Sequence, residues 1–264
     1  MSRHARWTLA IVSIALFMTT LDNLVVSTAL PSIRASLGAS IESLEWTVNA
    51  YTLSFAVLLL TGAALGDRFG RRRMYALGLF VFAGASAVAA TAPTVGVLIA
   101  ARTGQGFGAA IVMPLTLTLI SDAFPAEKRG VAIGMWGGVA GTAVAFGPVV
   151  GGAVLQGLNW HWIFWFNVPI GLVLVPLALT RLSESHGPHP HLDLGGVALS
   201  CVGLFALTWG LVRVSDDGWT SPQVLGPMIA GAALVAVFLY YEGRRRVPML
   251  RLALFRSRAF TVGG

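Results

Sequence analysis

Residues 8–30 read TLAIVSIALFMTTLDNLVVSTAL, an apolar run long enough to cross a bilayer with one ionisable side chain, Asp22, set inside it. A second charge, Arg102, lies inside another such run further along. A charge at the centre of a membrane helix costs about 2.5–3.5 kcal/mol even on the lenient insertion scale, so a chain that keeps two points to their use. The expectation is transport or proton relay; the alternative is a static ion pair that only fixes helix register.

Composition sets the same class. Of the 264 residues, 56% are hydrophobic and only 11% charged, and the mean hydropathy is +0.76, which leaves too little polar surface for a water-soluble globule. Apolar stretches of spanning length fall at 8–30, 46–66, 74–93, 95–120, 130–155, 162–180, 194–212 and 223–241. These eight predict an all-α, polytopic membrane helix bundle with both termini on one side of the bilayer.

The side follows from the 18 Lys and Arg, because short cytoplasmic loops collect them. With a cytoplasmic N-terminus, the inner segments hold Arg3, Arg6, Arg68, Arg71, Arg72, Arg73, Lys128, Arg129, Arg181 and the basic run from Arg244 to Arg258. Only Arg34 and Arg213 fall outside. The pI of about 10.7 therefore reports topology, with some contact to anionic lipid, and needs no nucleic-acid partner. A cleaved leader ending at Ser27-Thr28-Ala29 is disfavoured by the length of the first run, by Asp22 within it and by the spans that follow. Cys201 is the one cysteine, so no intrachain disulfide forms.

Polar residues in the spans share faces. Thr19, Asn23 and Ser27 recur every four residues beside Asp22, and Arg102, Gln105 and Gly106 share a face of the fourth span. A carboxylate that alternates between ionised and protonated next to such a cation is a proton-coupling device. Thr19, Asn23, Ser27, Gln105 and Trp136, with Phe146, are expected to line a cavity. Trp46, Trp160, Trp162 and Trp219 read as interface anchors. The fifth span carries small-xxx-small pairs at Gly134/Gly138, Gly137/Gly141 and Gly147/Gly151, together with Pro148, the pattern of a closely packed and bent helix.

Longer motifs resemble a known family. Leu65-Gly66-Asp67-Arg68-Phe69-Gly70-Arg71-Arg72-Arg73 is similar to the G-x-L-x-D-R-x-G-R-R loop of the major facilitator superfamily, with Ala63 in place of the leading Gly. Arg102-Thr103-Gly104-Gln105-Gly106-Phe107-Gly108-Ala109-Ala110 fits its R-x-x-Q-G-x-G-A-A pattern, and Gly147-Pro148-Val149-Val150-Gly151-Gly152 its G-P-x-x-G-G antiporter motif. The run Leu21-Asp22 to Ala29-Leu30-Pro31, with Leu24 and Ser27 for the usual Thr and Asn, resembles the first span of the fourteen-span drug:H+ antiporters (EmrB/QacA-like). So does Trp160-His161-Trp162-Ile163-Phe164 with Asn167-Val168-Pro169-Ile170-Gly171, where His161 replaces Arg.

The resemblance implies an N-terminal six-helix half over 1–181, a cytoplasmic loop over 182–193, two extra linker spans over 194–241 and a basic cytoplasmic tail over 242–264 leading to a C-terminal half that is absent. It assigns proton coupling to Asp22 and Arg102. It assigns a cytoplasmic gate to Asp67, Arg68, Gly70, Arg71 and Arg72, and the exporter bend to Gly147, Pro148, Gly151 and Gly152. The implied activity is proton-coupled multidrug efflux at the cell membrane by a truncated or half-length transporter, completed by a missing half or a second copy, since alternating access needs two halves. The alternative is a non-transporting module, a remnant or assembly partner of a split transporter.

Other chemistries lack context. No G-x-x-x-x-G-K-[ST] loop is present, so the energy source is expected to be the proton gradient, with no cofactor and no enzymatic site. His186, His189 and His191 with Asp193, interleaved with Gly and Pro, read as a connector and not a metal site.

Overall fold

The computed structural model describes residues 2–187 and 193–244, and those residues are built from helices. In order these are α1 (Arg3–Leu37), α2 (Ile41–Phe69), α3 (Arg71–Ala90), α4 (Val95–Ala123), α5 (Ala126–Gly157), α6 (His161–Trp165), α7 (Asn167–Arg181), α8 (Leu194–Asp217) and α9 (Pro222–Arg244). Taking α6 and α7 as one span, the described residues hold eight helices long and apolar enough to cross a membrane, each overlapping one of the stretches expected from sequence. At 1.5 Å per residue the 35 residues of α1 reach about 50 Å, longer than a hydrocarbon core of about 30 Å.

Local chemistry sets the boundaries. Ser2, Ser40, Thr94 and Asp193 accept a backbone N–H of the first turn of α1, α2, α4 and α8. Gly38 ends α1 in the left-handed conformation, φ 61°. Gly70, φ 102°, is the single residue joining α2 to α3, a turn no side chain would favour. In the sixth span one intrahelical hydrogen bond is missing between α6 and α7, because Pro169 has no N–H to give the carbonyl of Trp165, but Phe166 keeps helical geometry, φ −62° and ψ −29°, and its own N–H bonds the Trp162 carbonyl.

The chain divides into two compact units, Met1–Pro188 and His189–Gly264. In the first, α4 packs between α2 and α3, and α1 lies along α5. Two apolar clusters hold it together, one around Ile11, Tyr75, Phe82 and Leu119, the other around Val26, Ile33, Leu98 and Trp160. The second unit is an antiparallel pair, α8 against α9, turning at Gly218. Residues 188–192 of the expected loop, with His189 and His191, and residues 245–264 of the expected tail lie outside the described residues.

The glycines of α5 divide by face. Gly147 and Gly151 pack on α1, where an added Cβ would meet Leu24 and Thr28. Gly134, Gly137, Gly138, Gly141 and Gly152 meet nothing within 4 Å. Of the small-residue pairs expected to bring helices together, only Gly147/Gly151 does so among the described residues.

Candidate functional site

The two intramembrane ions meet. Arg102 Nη1 donates to Asp22 Oδ2 at 2.5 Å, and neither side chain has any exposed surface. Asp22 sits midway along α1 and Arg102 two turns into α4. Gly106, one turn on from Arg102, turns its open side to α2, where a Cβ would run into Ser54 Oγ and the Tyr51 carbonyl.

Around the pair further hydrogen bonds hold both the carboxylate and the guanidinium. Asp22 Oδ1 accepts from Gln105 Nε2 at 3.0 Å and Asn167 Nδ2 at 2.6 Å. Arg102 also donates to Gln105 Oε1 at 2.8 Å and, through Nε, to the Thr47 carbonyl at 3.1 Å. Gln105 is oriented further by Ser86 Oγ, 2.8 Å away. The Tyr51 ring covers the guanidinium, 4.4 Å from carbon to centroid. The carboxylate thus ties α1 to α4 and α7, and the cation ties α4 to α2. Tyr51, Thr47, Ser86 and Asn167 were not singled out from sequence. Asn167 stood in a quoted motif, but only the fold brings it beside a residue 145 positions earlier.

Beside this network lies a cavity of about 330 Å³, walled by Thr19, Asn23, Tyr51, Thr52, Phe55 and Met113 among others. Its volume suits a small organic molecule. The Tyr51 and Phe55 rings lie parallel, 1° apart in plane, and give it a flat aromatic side. Of the residues expected to line a cavity, Thr19 and Asn23 do so. Ser27 shares their face but is exposed a turn beyond. Gln105 is fully buried in the ionic network. Trp136 packs against the apolar cluster around Tyr75, and Phe146 is exposed.

A second network caps the α2–α3 turn. Arg71 donates to Asp67 Oδ1 and to Asp122 Oδ2 of α4, each at 2.9 Å. The segment after α7 closes over them: Glu184 Oε1 accepts the Arg72 N–H at 3.0 Å, and Ser185 Oγ donates to Asp122 at 2.6 Å. The Ser185 carbonyl takes the Arg71 N–H at 2.8 Å, and Gly187 N–H donates to the Asp67 carbonyl at 2.9 Å. Because Gly70 offers α3 no side-chain cap, Glu184 supplies one from 112 residues away and sets its charge at the positive end of the helix. Arg72 and Arg73 both lie 3.5 Å from Glu184, and Arg68 covers the Phe69 ring. Asp122, Glu184 and Ser185 were not legible as members of this network, since each is an ordinary polar residue at a span end. Among the described residues no cluster of His, Cys, Asp and Glu is placed to hold a metal ion.

A family model described as Major Facilitator Superfamily matches residues 12–256. The chain is 35% identical to the tetracenomycin C resistance and export protein of Streptomyces glaucescens, with 97% of this chain and 48% of the relative covered. It is 36% identical to the multidrug resistance protein Stp of Mycobacterium tuberculosis, with 99% and 49% covered. The chain therefore spans about half the length of the curated relatives it matches. A crystal structure of a POT peptide transporter in complex with sulfate superposes with a TM-score of 0.63 at 13% identity, over 95% of this chain and 53% of that one, a likeness of fold alone.

Proposed function

Since the chain belongs to the Major Facilitator Superfamily, we propose that it serves as the N-terminal half of a proton-coupled exporter of small amphipathic compounds, drugs and antibiotics among them. The observation that carries this reading is the Asp22–Arg102 pair, sealed from solvent beside a cavity of substrate size. The names of the resistance and export proteins that it resembles support the direction of transport.

The chemistry of coupling follows from the donors around Asp22. An ionised carboxylate accepts from Arg102, Gln105 and Asn167 at once. A proton on Oδ2 would turn that oxygen into a donor facing a donor, and the attraction to Arg102 would be lost. Arg102 would remain held by Thr47, Gln105 and Tyr51, so the bond that opens is the one between α1 and α4. Proton uptake thereby biases a rearrangement of helices, which is what an antiporter cycle requires. Asp67, Arg71 and Asp122 act in this reading as the cytoplasmic latch, and Gly147 and Gly151 as the seat of α5 on α1.

Both termini face the cytoplasm in this reading, supported by the side on which Arg68, Arg71, Arg72, Arg73, Lys128 and Arg181 gather. The second six-helix half comes from a continuation, a separate chain or a second copy. The test is proton-gradient-driven movement of a fluorescent lipophilic cation in vesicles carrying this chain, alone and with a six-span partner. Movement in either arrangement that disappears in Asp22→Asn while insertion is retained is the expected result. Silence of both arrangements, beside a working exporter, would favour the non-transporting module.

A further inference from the structure

The carboxylate and the cavity lie on opposite sides of the same helix. At 3.6 residues per turn, Thr19, Thr20, Asn23 and Leu24 form one face of α1, and these are its contribution to the 330 Å³ cavity. Met18, Asp22 and Val25 belong to the other face. That face opens into a separate crevice of about 60 Å³, closed by Val150 of α5, Ile163 of α6 and Asn167 of α7. No residue lines both spaces.

Size and polarity separate their contents. A water molecule takes about 30 Å³, so the crevice has room for about two and none for a drug-sized compound. Its wall is apolar except for Asp22 and Asn167, and water is retained only where polar groups can bind it. The Asp22 side chain has no exposed surface of its own, and the Asn167 amide, which donates to Asp22 Oδ1, is the polar group that links it to the crevice. On the cavity side the way to Asp22 is filled by the Arg102 guanidinium and the Tyr51 ring lying over it. Arg102 of α4 and, beyond it, Tyr51 of α2 are the charged or titratable groups that face Asp22; the wall residues from α5, α6 and α7 are uncharged.

We infer that the crevice between α1, α5, α6 and α7 is the proton's entry to Asp22, with Asn167 positioning the carboxyl at its inner end, while substrate occupies the opposite side of α1. Substrate and proton then do not compete for one carboxylate. They communicate through Arg102, Tyr51 and Asn23, which separate the two spaces. The inference deepens the proposed function and rests on Asp22 being the carboxylate that takes up the proton.

Protonation can be read without transport. In the purified chain in lipid nanodiscs, the protonated-carboxyl infrared band absent from Asp22→Asn is followed in time after an acid jump. Val150→Phe and Phe17→Trp each fill the crevice and are expected to slow the band's appearance about tenfold or more, because the water-bearing route is closed. Thr52→Trp, which fills the cavity, is expected to leave the rate within about twofold. Both crevice variants serve, so misfolding of one leaves the other, and unfolding temperatures check each. Unchanged rates in the crevice variants, or slowing by Thr52→Trp, would overturn the separate route. A band that responds as expected in a chain that never transports would sink the exporter reading and leave the route standing. A band that ignores pH in a transporting protein would sink the role of Asp22.

Discussion

Asp22 is held by donors from two other helices, so its removal and its abandonment have different consequences. In Arg102→Leu the carboxylate stays buried with only the Gln105 and Asn167 amides to stabilise it. A buried charge stripped of its partner costs about 3–5 kcal/mol, and that is the stability loss expected in denaturant unfolding in detergent. Replacing both ions, Asp22→Asn with Arg102→Leu, is expected to cost less than Arg102→Leu alone, because no orphaned charge remains. A double variant at least as unstable as the single one would mean that the pair contributes by packing and not by charge. The two ions were legible in the sequence because charge in an apolar run is expensive and therefore conspicuous. Tyr51 and Asn167 were not: one is an aromatic among many, the other a single amide near a span entry, and only folding brings them to Arg102 and Asp22.

At the scale of the helix, length and apolarity placed every span, but period alone did not say which face meets which neighbour. The glycines of α5 are the clearest case. All read alike as small-xxx-small pairs, yet Gly147 and Gly151 meet α1 while Gly134, Gly137, Gly138 and Gly141 meet open space. Gly151→Leu should therefore destabilise the chain by about 1–3 kcal/mol, through forced separation of α5 from Thr28 and Val25. Gly138→Leu should shift thermal unfolding of this chain little, since nothing lies within 4 Å to be displaced. Equal effects at the two positions would show that helix propensity, and not the α1–α5 contact, governs both. At Pro169 the sequence alone did not say whether the sixth span carries on or stops; the helical geometry of Phe166 shows that it carries on.

Across the whole molecule, the basic residues and the clasp around the α2–α3 turn belong to one argument about orientation. Arg71, Arg72 and Arg73 are neutralised in part by Asp67, Asp122 and Glu184, so this end of the bundle carries a knit network and not only free positive charge. Short loops rich in Arg and Lys resist translocation, and partial pairing after folding does not undo a choice made during insertion. Two exposed serines mark opposite ends: Ser40 in the α1–α2 turn, near Arg34, and Ser183 just after α7, beside the clasp. In a Cys201→Ser background, Ser40→Cys should react with a membrane-impermeant maleimide in intact cells. Ser183→Cys should react only after the membrane is opened, because the α7 end and the arginine-rich turn share a side. Labelling of Ser183→Cys in intact cells with Ser40→Cys protected would invert the molecule. The Asp67–Arg71–Asp122 network would then face outward, where it could not serve as a cytoplasmic latch.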